Sequence, residues 1–198
     1  MQTLIKAGEV INGGVYRATP LEARFDQQII APNIKIAELT YVIEVLCKPL
    51  YDDLIAEQNA NEANYNPNVG AIVEKFPTNA AYETLWTDGG LGMLCARAVY
   101  LLCLPYVGIK VGSNGMFTTN IENATNAVDK QLKYMIDAEG KNLKVLQDYV
   151  ANYLCQNSSS YSLFPATEKC KDVEGCNDCA GVTSESKNTN ILTKFGLI

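Results

Sequence analysis

The chain has 198 residues, 47% of them hydrophobic, and carries 16 Lys and Arg against 22 Asp and Glu, a net charge of −6. That length suits one domain with extensions or two small domains, and the acidic balance excludes the basic face of a nucleic-acid grip, though not a wall that encloses nucleic acid and repels it. Histidine is absent, which removes the commonest general base, His-dependent triads and mixed Cys/His zinc sites together.

In residues 1–25 no basic run leads into an apolar one, so no signal peptide is expected. Gly13-Gly14 and Pro20 punctuate the stretch, and alternation over residues 10–16 permits a short strand or an extended arm. Residues 33–58 are helical by pattern. Ile36, Leu39, Ile43, Leu46, Leu50 and Leu54 recur at steps of three and four as one apolar stripe, with Asn33 as the N-cap. Pro49 divides the stretch, because proline is tolerated in a first turn and breaks a helix interior. Two helices are predicted, about 34–47 and 49–58, joined at Cys47-Lys48. Asp52 and Asp53 fall in the first turn of the second, where the helix dipole favours them.

Residues 59–78 are Asn-rich with two prolines and read as a long functional or interfacial loop. A short helix over 79–87 holds Trp86, the only tryptophan. Asp88-Gly89-Gly90 then opens an apolar helix, about 89–106, with a stripe of Leu91, Leu94, Ala98 and Leu101. Residues 91–109 approach the length of a membrane span, but Arg97 near the centre would cost about 3 kcal/mol in lipid. Pro105 and Gly108 break its far end, so burial in a protein core or between subunits is expected. Apolar residues flanking Gly112-Ser113-Asn114-Gly115 predict a hairpin. The spacing lacks the Gly-Lys-Ser/Thr ending of a phosphate loop.

Thr119 and Glu122 fit a capping box. From Ile121 through Val128, Leu132, Met135, Leu143, Leu146 and Val150 to Tyr153 the helical phase holds, predicting a helix of roughly 50 Å. Glu139-Gly140 interrupts it and predicts a bend, or a point where another backbone comes close. QNSSSYS reads as a linker, and Leu163-Phe164-Pro165 as an apolar stop. A polar stretch follows, tipped by Ile191, Leu192, Phe195, Leu197 and Ile198, which cannot build a core alone and is expected to dock, preferably on a neighbouring subunit. The reading is therefore mostly α: a helical bundle with one long C-terminal helix, a short β-hairpin or loop, and extended N- and C-terminal arms. Residues 1–25 form the N-terminal arm, 26–165 the helical body and 166–198 a cysteine-containing C-terminal arm.

Seven cysteines are present. Cys47, Cys95, Cys103 and Cys155 lie in helical-looking stretches and read as reduced thiols packed as small hydrophobes. Cys170, Cys176 and Cys179 follow C-x5-C-x2-C spacing. Structural zinc wants four ligands, and a fourth would have to come from Cys155, an acidic side chain or another chain. Reduced thiols on an arm, a late disulfide and a zinc site all stay open. A thioredoxin-like role would need a βαβ context that this tail lacks. Acidic residues are scattered along helix faces, and no catalytic constellation is legible. A structural or binding role therefore outranks catalysis, and no cofactor is expected apart from that zinc alternative.

The stretch IIAPNIKIAELTYVIEVLCKPLYDDLIAEQ resembles the N-terminal helices of tailed-phage head-to-tail connector (adaptor, neck ring) proteins, most like those of crAss-like Bacteroides phages. The matching positions are Ile30, Pro32, Ile34, Ala37 and Glu38, then Lys48, Pro49, Leu50, Tyr51, Asp52 and Leu54. The apolar helix, the GSNG turn and YVANYLCQNSSSYSLF also resemble that family, over about 26–165. Its pattern commonly places Leu-Gly before the Tyr-containing helix, where this chain has Leu46-Cys47. The resemblance implies a mostly helical, non-enzymatic virion protein of the bacteriophage neck, assembled in the host cytoplasm. It would form a homo-oligomeric ring, typically of twelve, between portal and tail or other neck proteins. DNA would pass through its channel without specific binding, and no membrane is involved. Arg97 and Tyr100 of the apolar helix, with Ile191, Leu192, Phe195, Leu197 and Ile198, would then be subunit contacts. The rival reading is a small cytosolic protein-binding module stabilised by zinc at Cys170, Cys176 and Cys179.

Overall fold

The computed structural model describes residues 2–12, 27–60, 65–66, 71–72, 75–106, 109–112, 115–118 and 125–169. The protein is mostly α-helical. Helices α1 (Ala7–Asn12), α2 (Gln27–Ala37), α3 (Ile43–Leu46) and α4 (Lys48–Ala60) precede a two-residue ladder of β1 (Tyr65–Asn66) with β2 (Ala71–Ile72). Then come α5 (Ala80–Thr87), α6 (Leu91–Cys103), a hairpin of β3 (Ile109–Gly112) with β4 (Gly115–Thr118), the long α7 (Thr125–Gln156) and α8 (Ala166–Lys169).

The centre is α6. Leu91, Leu94, Cys95, Ala98, Val99 and Cys103 are buried, as its near-continuous apolarity leads one to expect, while Met93 on the other side is 38% exposed. Helix α2 covers one side and α7 the other, with α5 closing the N-terminal end. Gly90 starts α6 in the left-handed region (φ 78°), a conformation glycine adopts without a Cβ penalty. Asn79 caps α5, its side chain accepting from the Tyr82 amide at 3.2 Å. Among the described residues no single helix is long and apolar enough to cross a membrane.

Three details depart from the sequence pattern. Asn33 does not cap a helix, because α2 already begins at Gln27 and runs through Pro32. The Asn33 amide instead donates to the Ile29 carbonyl at 2.8 Å. Second, a π-helical turn, Glu38–Val42, joins α2 to α3. A wider turn shifts the helical phase, so the buried positions are Ile34, Ala37, Val42, Val45 and Leu46. Ile36 and Leu39, predicted in the apolar stripe, are 52% and 51% exposed. Third, QNSSSYS is no linker: Ser158–Ser160 form a 3-10 turn and Tyr161 is buried, its hydroxyl donating to the Ala81 carbonyl at 2.8 Å.

The break between α3 and α4 falls at Cys47, with φ 63° and ψ 154°, a region that is essentially glycine-only. Helix α7 has 32 residues and spans about 48 Å. It runs unbroken through Gly140, and among the described residues nothing comes within 4 Å of a Cβ built there. The expected capping box at Thr119 and Glu122 lies outside the described residues, as do 13–26 and the arm from 170 onward.

Candidate docking groove and a buried polar cluster

The first residues belong to the body. Leu4 and Ile5 are fully buried, and Val10, expected in a strand or arm, lies in α1. Their backbone is held by side chains from other elements. Lys35 Nζ donates to the Gln2 carbonyl (3.3 Å), Gln58 Nε2 to the Thr3 carbonyl (3.0 Å) and Lys75 Nζ to the Leu4 carbonyl. The Ile5 amide donates to Glu38 Oε1 at 3.1 Å. A buried segment outside any helix or ladder thus has these polar groups satisfied, as burial demands.

These side chains form one cluster. Lys75 pairs with Glu9 at 2.9 Å, both buried, and its ammonium sits 3.8 Å from the centre of the Trp86 ring. Tyr51 donates to Glu38 Oε2 at 2.6 Å and accepts from Lys35 Nζ at 2.8 Å. Burial raises the Glu38 carboxyl pKa, against the hydrogen bonds from Tyr51 and Ile5. Burial lowers that of Lys75, against the attraction of Glu9. Burial, then Glu38, pushes the Cys95 thiol well up. Groups with shifted pKa in a cleft are functional candidates, but Lys75, Glu9, Glu38 and Cys95 are each at most 3% exposed. Charges enclosed this way fix the N-terminal segment. Sequence reasoning missed the cluster, since Glu9 and Lys75 are 66 positions apart and no spacing rule links them.

The open surface lies elsewhere. Between the C-terminal half of α6 and the middle of α7 runs a groove of about 530 Å³. Tyr41, Leu101, Leu102, Pro105 and Ile136 make its apolar floor, and Asp137, Lys141 and Lys144 its rim. Gly140 contributes bare backbone to the α7 wall. Exposed apolar side chains stand on two helices outside it: Ile36 and Leu39 at the π turn, and Tyr134, 74% exposed, on α7.

Arg97 and Tyr100, expected between subunits, both meet α7 of the same chain. Arg97 Nη1 donates to both Glu139 oxygens at 3.1 and 3.0 Å. Tyr100 packs with Leu104 against Leu132, Met135 and Ile136. Ile191, Leu192, Phe195, Leu197, Ile198 and the candidate ligands Cys170, Cys176 and Cys179 lie outside the described residues. Among the described residues no group of three or more His, Cys, Asp or Glu could hold a metal. Cys47, Cys95 and Cys103 are free thiols, whereas Cys155 is disulfide-bonded. That corrects its reading as a reduced thiol, and a disulfide sulfur is no thiolate ligand for zinc.

Fold and surface together define a mostly helical protein with an enclosed polar centre and an open apolar groove. By sequence it belongs to a family of unknown function, DUF6712, whose model matches residues 42–174. No curated protein and no solved structure matches the chain.

Proposed function

We propose that the protein is a structural subunit of a virion, a ring-forming head-to-tail connector that joins the portal to tail components and extends the DNA channel. The observation that carries this reading is the junction at Cys47. The connector pattern commonly has a glycine there, before the Tyr-containing helix, and the backbone at Cys47 has the φ and ψ that glycine favours. A residue with a side chain therefore stands at a backbone position suited to glycine, which supports the resemblance at that junction. Ile36, Leu39 and Tyr134 supply apolar surface for neighbouring subunits. A net charge of −6 suits a channel wall along which DNA slides without sticking.

Native mass spectrometry and negative-stain imaging of the purified protein test the reading. Rings whose mass is a multiple of 21.7 kDa, near twelve copies, are expected. A chain that stays monomeric at every concentration and joins no particle overturns it. A monomer holding one tightly bound zinc would instead favour the cytosolic zinc-stabilised module.

A further inference from the structure

We propose that Lys75 and Glu9 condense into an isopeptide bond, a self-formed cross-link that ties α1 to the segment before α5. The geometry is that of reactants already assembled. Lys75 Nζ stands 2.9 Å from Glu9 Oε1 and 3.0 Å from Oε2. An amine that reaches both oxygens of one carboxyl lies roughly 3–3.5 Å from the carbon between them, the separation of a near-attack pair. Both side chains are enclosed, 2% and 4% exposed.

The surroundings favour condensation. Two charges taken out of water carry a desolvation cost that their attraction offsets only in part, and an amide removes both charges at once. Burial lowers the Lys75 pKa, against the attraction of Glu9, so the neutral amine that attacks a carboxyl is easier to reach than in water. The Trp86 ring covers the nitrogen at 3.8 Å, and the Leu4 carbonyl accepts one of its hydrogens. The Lys6 amide donates to Glu9 Oε2 at 2.7 Å. A backbone donor there stabilises negative charge developing on that oxygen, as in an oxyanion hole. Cys95 and Glu38 are the other titratable groups whose charge reaches Lys75, and both are buried.

The step balances without a co-reactant. A proton passes from the ammonium to Glu9 Oε1, leaving an amine and a carboxylic acid. The Nζ lone pair attacks Cδ, and the tetrahedral intermediate carries its charge on Oε2, against the Lys6 amide. The Cδ–Oε1 bond then breaks. Oε1 leaves as water with the proton it received and a second one from Nζ, and Oε2 remains as the amide oxygen. The product closes a loop between residues 66 positions apart, a constraint on the unfolded chain of the kind a disulfide imposes.

The bond needs no second copy, so it stands or falls apart from ring formation. The intact mass of the full chain, reduced and unfolded after purification in the folded state, tests it. The chain should be lighter than its sequence by the mass of a water molecule. A digest should yield a branched peptide joining the segments that hold Glu9 and Lys75. Chain kept in urea from synthesis onward should retain the full mass, because the fold supplies the proximity. Lys75→Arg keeps a cation beside Glu9 but cannot condense, so its branched peptide should vanish. Should that variant fail to fold, the wild-type digest decides alone. A folded wild-type chain that holds its full mass after days of incubation overturns the proposal, as does a water loss that maps to any other residues.

Discussion

Glu38 shows how one carboxyl can tie stability to pH. Burial raises its pKa above the ordinary 4.5, and the hydrogen bonds from Tyr51 and Ile5 oppose that shift only in part. The folded state therefore keeps the proton to a higher pH than the unfolded state does. The stability this confers is complete below 4.5 and is lost as pH rises through the folded-state value. Glu38→Gln keeps an oxygen for the Ile5 amide and a polar partner for Tyr51, and it does not ionise. Urea midpoints measured from about pH 4 to about pH 8 should move in favour of the variant as pH rises. A constant difference across that range would mean that Glu38 is not the titrating group. The neighbouring thiols follow the same logic of burial. Cys103 is pushed up to about 11, and its desolvation outweighs the hydrogen bond with Asn33. Both it and Cys95 are inert to alkylation in the folded chain by that argument.

At the scale of elements the junction between α3 and α4 carries a cost. Cys47 holds a backbone that typically costs 1–3 kcal/mol for a residue with a side chain. Cys47→Gly removes that strain and adds unfolded-state entropy, with a net gain of about 1 kcal/mol expected in denaturant unfolding. Loss of stability would show that the thiol's packing outweighs the strain. The sequence made this break legible because Pro49 can occupy a first turn but not a helix interior. It also made α7 legible, since one period holds from Val128 to Tyr153, and the hairpin, since two glycines bracket a two-residue turn. What it hid has definite causes. Ile36 and Leu39 were assigned to the core because a 3.6-residue period cannot register the extra width of a π turn. Lys75 sits in an Asn-rich loop, and nothing local says that its ammonium is swallowed by Trp86, Glu9 and the Leu4 carbonyl. The groove was equally hidden, because it is lined from separate elements, Tyr41, the end of α6 and the middle of α7, rather than by any one run of residues.

For the whole molecule, separating folding surface from assembly surface is the decisive question. Leu39 is half exposed and outside the buried core, so Leu39→Asp should change unfolding free energy by no more than about 0.5 kcal/mol. If the π-turn face meets a neighbouring subunit, the same substitution should collapse ring mass to that of the monomer in native mass spectrometry. Rings that persist unchanged would move the contact to another face. A last consequence concerns the order of synthesis. The backbone of residues 2–5 is gripped by Lys35, Glu38, Gln58 and Lys75, partners up to 71 positions later in the chain. During translation residues 2–5 must wait for those partners, because contacts of such long range form only after the intervening chain is made. Residues 2–5 are thus the bolt that slides home after the door is hung. On a polysome the nascent chain should keep Leu4 and Ile5 accessible to chaperones until α5 has left the ribosome.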